Sequence, residues 1–286
     1  MNKPEKIILI PNTEKNISDK VTLSLIDRLT SSGCTVSVFP DSGITDSRVR
    51  RITGDEEITD CDAALVLGGD GSIIEAEHRL LGFDIPVMGI NFGHVGFLTE
   101  LEKEELPLVD KLLAGEYTVD SRMLLTATVT DSTGKVKSEY NVLNDAVLTN
   151  GPVARMITFE IFSGGEKLET VRADGFIVST PTGSTAYSLS AGGPVLDPAL
   201  DGIVLTPICP HTLTSRPIVF RGDMALAFRV VSSNSSGVYL TADGREETKV
   251  SEDDTVTVRK SEYTARLIRI KKTGFVEVLR SKLSEQ

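Results

Sequence analysis

Apolar residues in this chain change their spacing near residue 120, and that change restricts the available folds more than any other feature of the sequence. Before it, short unbroken apolar runs alternate with longer amphipathic stretches, as in strand-helix-strand units whose parallel strands are buried on both faces. Residues 6–10 read as the first such strand. Residues 18–29 read as a helix, with Ser18 as N-cap, Val21, Leu25, Ile26 and Leu29 along one face, and Gly33 just past its end. Strands are expected at 36–39, 63–67 and 85–90 and helices at 73–81 and 102–114, while the polar segment 46–59 reads as a surface loop. After residue 120 the runs are short and alternate apolar with polar, as at Ile157, Phe159 and Ile161. These predict strands at 124–130, 142–149, 157–162, 176–179, 224–231, 238–242 and 255–258, separated by glycine-containing turns at 130–135, 162–166 and Asp243-Gly244.

The pattern implies an α/β N-terminal domain, Rossmann-like with a parallel sheet, over residues 1–120, and an all-β, sandwich-like C-terminal domain over 121–266. A length of 286 residues suits two domains of roughly 150 each. Thirty Lys and Arg against 41 Asp and Glu give a formal net charge of −11. That field repels nucleic-acid backbones and anionic lipid surfaces, so neither is an expected partner. No run approaches the roughly 18 apolar residues of a membrane span, and the chain reads as cytoplasmic. Cys34, Cys61 and Cys209 are widely spaced with no Cys-x-x-Cys pair, so they read as buried thiols rather than a disulfide framework or a zinc site. His78, His94 and His211 are scattered, which gives no support to a His-based metal site or a Ser-His-Asp triad. No protein-borne metal site is expected.

Gly68-Gly69-Asp70-Gly71-Ser72 ends the apolar run 63–67 and opens a helix, the place where open α/β sheets bind ligands. Glycines let backbone approach a phosphate, and a helix N-terminus adds amides and partial positive charge, so Gly68, Gly69, Gly71 and Ser72 are the expected phosphate contacts. A purely structural reading competes, because Ser72 and Glu75 match a Ser-x-x-Glu capping box. Asp70 favours function. A carboxylate among anion-seeking amides repels a phosphate unless a proton or a magnesium ion stands between them. Phosphoryl transfer to a hydroxyl fits, with the carboxylate accepting the hydroxyl proton. Asn144-Asp145 could serve an adenine edge and ribose hydroxyls, although a bare Asn-Asp pair is more often a turn. Asp174-Gly175 and Asp243-Gly244 read first as hairpin turns.

Several motifs together resemble the NAD kinase family, bacterial type, in order and spacing: the glycine-aspartate element, Gly89-Ile90-Asn91, Gly96-Phe97-Leu98, Asn144-Asp145, the run 180–194 (Thr-Pro-Thr-Gly-Ser-Thr-Ala-Tyr-Ser-Leu-Ser-Ala-Gly-Gly-Pro), Pro210-His211-Thr212-Leu213 and Arg216-Pro217. The first element alone is shared with diacylglycerol-kinase-like lipid kinases and phosphofructokinases; the run 180–194 separates them. The resemblance implies transfer of the terminal phosphoryl group of ATP, with Mg2+ or another divalent cation, to the 2′-hydroxyl of the adenosine ribose of NAD, giving NADP. It implies a crevice between the domains as the active site, a homodimer or homotetramer, and a tail at 267–286 that packs back on the first domain. It assigns Asp70 as the catalytic base, Asn144 to adenine and Asp145 to ribose. Gly71, Arg155, Arg172, Asp174, Thr185, Ala186, Tyr187, Ser188, Leu189, Ser190 and Arg245 are the other implied NAD contacts, with Arg172 where a basic residue accompanies preference for NAD over NADH. A lipid kinase and a non-enzymatic dinucleotide sensor are the rival functions.

Overall fold

The computed structural model describes residues 2–12, 18–93, 96–150, 156–212, 215–232 and 237–284. The chain runs through β1 (Lys6–Pro11), α1 (Ser18–Ser31), β2 (Thr35–Val38), β3 (Arg50–Arg51), α2 (Asp55–Thr59), β4 (Ala63–Leu67), α3 (Asp70–Arg79), β5 (Val87–Asn91), β6 (Leu101–Glu102) and α4 (Val109–Leu113). It continues through β7 (Thr118–Thr130), β8 (Val136–Val142), β9 (Asp145–Asn150), β10 (Ile157–Ser163), β11 (Glu166–Ala173), β12 (Gly175–Ser179) and α5 (Tyr187–Ser190). The remaining elements are β13 (Gly202–Ile208), β14 (Ile218–Arg221), β15 (Leu226–Ser232), β16 (Val238–Ala242), β17 (Glu246–Val250), β18 (Thr255–Arg269) and α6 (Phe275–Ser284). Contacts divide the chain into two units, one holding residues up to Ser121 together with those from Ala265 onward, the other Arg122–Thr264.

The first unit is α/β. Its parallel sheet runs β5-β4-β1-β2-β3, with Ile8 opposite Ala64 and Leu65 opposite Met88. Every residue of β4 is buried, as a parallel strand covered on both faces requires. Leu25, Ile26 and Leu29 of α1 are at most 1% exposed, so the apolar helix face read from the sequence is the buried one. Each such side chain contributes roughly 1.5–3 kcal/mol of burial. Gly33, at φ +83°, makes the left-handed turn after this helix. The end of β18 belongs here too, with Leu267 parallel to Val87.

The second unit is built of antiparallel sheets. One has the order β14-β13-β12-β9-β16-β17; the other pairs β11 with β10, β10 with β15, and β15 with the first residues of β18. Phe176 of the first sheet lies between Phe159 and Phe228 of the second, ring centroids 5.3 and 5.9 Å apart, so the inner faces share one core.

Several expectations need correction. The segment 46–59 holds β3 and α2. Both residues of β3 are exposed, as befits an edge strand, and α2 buries only Ile58, so neither carries an apolar period. The expected helix 102–114 is broken: Glu102 lies in β6, residues Lys103–Leu108 form a 3-10 helix containing Pro107, and α-helix begins only at Val109. The expected strand 142–149 is β9, which begins only at Asp145; Val142 ends β8, and Leu143 and Asn144 lie between the two. The strands β8, β11, β13, β14 and β17 were not anticipated; β8 and β11 are polar and mostly exposed or half-buried, and Pro207 disguises the otherwise apolar β13. Of the cysteines Cys34 alone is buried; Cys61 is half-buried and Cys209, just past β13, is exposed. No helix among the described residues is long and apolar enough to cross a membrane.

Candidate active site

In the first unit the turn from β4 into α3 is tightly specified. The Gly68 N–H donates to the Ile90 carbonyl at 2.9 Å, and a Cβ at Gly68 would stand 2.6 Å from that of Ser72. The turn therefore admits no side chain there. Gly69 occupies the N-cap position without a side-chain cap, and the helix starts at Asp70, not at Ile73. Ser72 consequently lies inside the first turn, where its hydroxyl accepts from the Asn12 side-chain amide at 3.1 Å. The capping-box reading of Ser72 and Glu75 does not hold.

Asp70, the first residue of α3, is held by backbone. Its Oδ2 accepts the Phe97 N–H at 2.8 Å, and its Oδ1 accepts those of Leu98 at 3.1 Å and Thr99 at 3.3 Å. The nearby Gly96 must be glycine, because a Cβ there would overlap the Asp70 carboxylate. Three amides and a helix N-terminus thus face one negative charge, which orients the carboxylate and supplies compensating positive ends of dipoles. A carboxylate offers about four lone-pair sites. Among the described residues Oδ2 accepts one bond and Oδ1 two. Sequence reasoning quoted Gly96-Phe97-Leu98 without seeing that its backbone, with that of Thr99, holds the acid; amide donors leave no side-chain signature.

In the second unit, the break between β8 and β9 is built by Asp243. At φ +49° in the β16–β17 turn, Asp243 accepts the N–H groups of Leu143 and Asn144 at 2.8 Å each and of Asp145 at 3.0 Å. The run 180–194 begins on the same segment: the Thr180 hydroxyl donates to the Leu143 carbonyl at 2.6 Å and its N–H to the Asn144 carbonyl at 2.9 Å. Gly183 presses so closely on the Asn144 backbone that any Cβ would overlap it. Asn144, Asp145, Asp243 and residues 180–183 therefore form one cluster. Asp145 is 5% exposed, and burial first, then the Asp243 carboxylate, pushes its acid up to about 7.

Elsewhere in the run, Thr185, Ala186 and Leu189 are half-buried, whereas Tyr187 and Ser190 are exposed. Ser188 is fully buried, its hydroxyl bonded to Thr206 at 2.8 Å and its carbonyl accepting the Gly193 N–H at 2.8 Å, so the structure does not present it to a ligand. Arg172 and Arg245 are exposed and Asp174 is half-buried between β11 and β12. Arg155 lies outside the described residues, as does His94. Among the described residues no three His, Cys, Asp or Glu side chains come together to hold a metal.

Residues 7–117 match the family model of the ATP-NAD kinase N-terminal domain and residues 143–270 that of the C-terminal domain. An NAD kinase from Symbiobacterium thermophilum is 43% identical over 284 residues, 98% of this chain and 99% of that protein. One from Geobacter metallireducens is 46% identical over 230 residues, 80% of this chain and 81% of the relative. A crystal structure of an NAD kinase from Archaeoglobus fulgidus in complex with ATP matches with a TM-score of 0.75 at 25% identity, covering 98% of this chain and 99% of that one. Yeast NADH kinase complexed with NADH shares the fold, with a TM-score of 0.88 at 23% identity over 99% of this chain and 88% of that one. On these matches, which span nearly its whole length, the chain belongs to the NAD kinase family and is an enzyme, a kinase.

Proposed function

We propose that the protein transfers the terminal phosphoryl group of ATP, bound as its magnesium complex, to the 2′-hydroxyl of the adenosine ribose of NAD, giving NADP, with Asp70 accepting the hydroxyl proton. The observation that carries this reading is the Asp70 carboxylate, fixed by three backbone amides beside a glycine turn, with Oδ2 taking a single bond among the described residues. Phosphoryl transfer draws most of its acceleration from positioning and charge neutralisation, and a pre-oriented carboxylate suits that demand. The divalent cation belongs to the triphosphate as substrate. Backbone at Gly68, Gly69, Gly71 and Ser72 lies at the helix N-terminus, where phosphate oxygens are favoured. A homodimer or homotetramer in the cytoplasm goes with this reading.

In the second unit Asn144 would read the adenine edge and Asp145 would accept hydrogen bonds from ribose hydroxyls, with Arg172, Asp174, Arg245 and residues 185–187, 189 and 190 as further contacts. Asp145 accepts hydrogen bonds from two hydroxyls most strongly when ionised. With its acid pushed up to about 7, the KM for NAD should fall as pH rises from 6 to 8. The Asp243→Asn variant removes the neighbouring charge while keeping an acceptor oxygen, so the same fall should move to lower pH. Steady-state kinetics across that range decide it; a KM independent of pH in both proteins contradicts the role of Asp145.

Incubating the purified protein with NAD, ATP and magnesium and assaying NADP tests the reaction directly. NADP formation supports it. Bound NAD without NADP would leave a sensor, and transfer to diacylglycerol instead would make a lipid kinase.

A further inference from the structure

The Asp70 carboxylate is as well placed as the segment 97–99 that holds it, and that segment is clamped from behind. Arg269, at the end of β18, donates from Nη1 to the Leu98 carbonyl at 3.2 Å and the Thr99 carbonyl at 3.4 Å. The same nitrogen reaches Glu100 Oε2 at 3.3 Å. Glu100, 6% exposed, accepts on its other oxygen the N–H groups of Ile270 at 2.8 Å and Lys271 at 2.6 Å. The Glu100 N–H is fixed in turn to the Gly89 carbonyl at 2.9 Å. Around this clamp, Arg269 Nε stands 3.6 Å from Asp120 and Lys271 donates to Glu105 at 2.6 Å.

The Leu98 carbonyl and the Thr99 N–H belong to one planar peptide unit. One edge of that plane is bonded to Arg269 and the opposite edge to Asp70. Rotation of the plane breaks both bonds together, and polarisation of the carbonyl by a guanidinium strengthens the N–H as a donor. A buried acid and a largely buried arginine are costly to maintain unless each is satisfied by the other and by backbone, as here. We infer that Arg269 and Glu100 are positioning residues for the reaction: through the 98–99 peptide plane they hold the Asp70 carboxylate in its catalytic orientation. This rests on the role of Asp70 proposed above.

The test is a double-mutant cycle joined to hydrogen exchange. Arg269→Met should lower kcat about ten- to a hundredfold, the order expected for a misplacement near 1 Å, with KM values for NAD and ATP within about twofold. Arg269→Lys, which keeps the charge but not the planar fork, should recover part of that loss. In an Asp70→Asn background the Arg269→Met change should cost less than about twofold more, because its effect passes through the missing carboxylate. The Leu98 and Thr99 amides should exchange faster in the Arg269→Met protein. An equal loss in both backgrounds, or unchanged kcat and unchanged exchange at Thr99, overturns the inference. Should Asp70→Asn itself turn over normally, the proposed role of Asp70 falls, while the exchange rates still report whether Arg269 holds the segment. If the Met variant does not fold, the Lys variant supplies both readouts.

Discussion

Changing Asp70 to Asn lowers kcat by about 10² to 10⁴ and leaves the KM for NAD near its wild-type value, the pattern of an interaction made only in the transition state. The substitution preserves size, so the glycine turn and the Gly96 approach survive. It removes the acceptor for the hydroxyl proton and sets the new amide group against one of the backbone donors at 97–99, since an amide has one oxygen where the carboxylate had two. Purified variant assayed for NADP formation, with NAD binding measured separately, checks both halves. Turnover close to wild type removes Asp70 from the mechanism.

The second large effect concerns stability rather than chemistry. Glu77 lies on the buried side of α3, 6% exposed, and its Oε1 has no hydrogen-bond partner among the described residues. Burial alone pushes its acid up to about 8 from 4.5. Below pH 4.5 the folded and unfolded states both carry the neutral acid. Between 4.5 and 8 the unfolded chain ionises while the folded protein does not, so stability falls steadily with rising pH; above 8 both are ionised and the loss levels off. At about 1.4 kcal/mol per pH unit the ceiling is ~5 kcal/mol, and structural relaxation lowers it. Glu77→Met, an unbranched apolar replacement in a helix, escapes this penalty. Its advantage over wild type in denaturant unfolding should therefore grow between pH 5 and pH 8. A constant difference across that range contradicts the assignment. Asp145 adds a slope of the same sign up to about pH 7, but it is common to both proteins and cancels in the comparison.

Strands such as β1 and β4 were legible because a strand buried on both faces must be continuously apolar, and the core-facing alternation in β10 is equally local. The glycine-aspartate element was legible because three glycines in five residues close an apolar run just before a helix. What stayed hidden is held by backbone or by partners remote in sequence. The Asn144-Asp145 pair hints at a turn, but nothing near it names the acceptor that bends the chain, Asp243. Nothing near Asp70 names Thr99 or Arg269, and an edge strand such as β3, whose two arginines are both exposed, has no apolar pattern to read. The early start of α3 was missed because the N-cap is Gly69, which offers no capping side chain.

The account turns on an acid that meets the acceptor hydroxyl. A crystal structure with NAD and a non-hydrolysable ATP analogue measures that meeting directly. The expected result is Asp70 Oδ2 within hydrogen-bond reach, about 2.6–3.2 Å, of the 2′-oxygen of the adenosine ribose, with the three backbone N–H bonds still in place. A ternary complex with the ribose 2′-oxygen far from Asp70 and held by another base would contradict it.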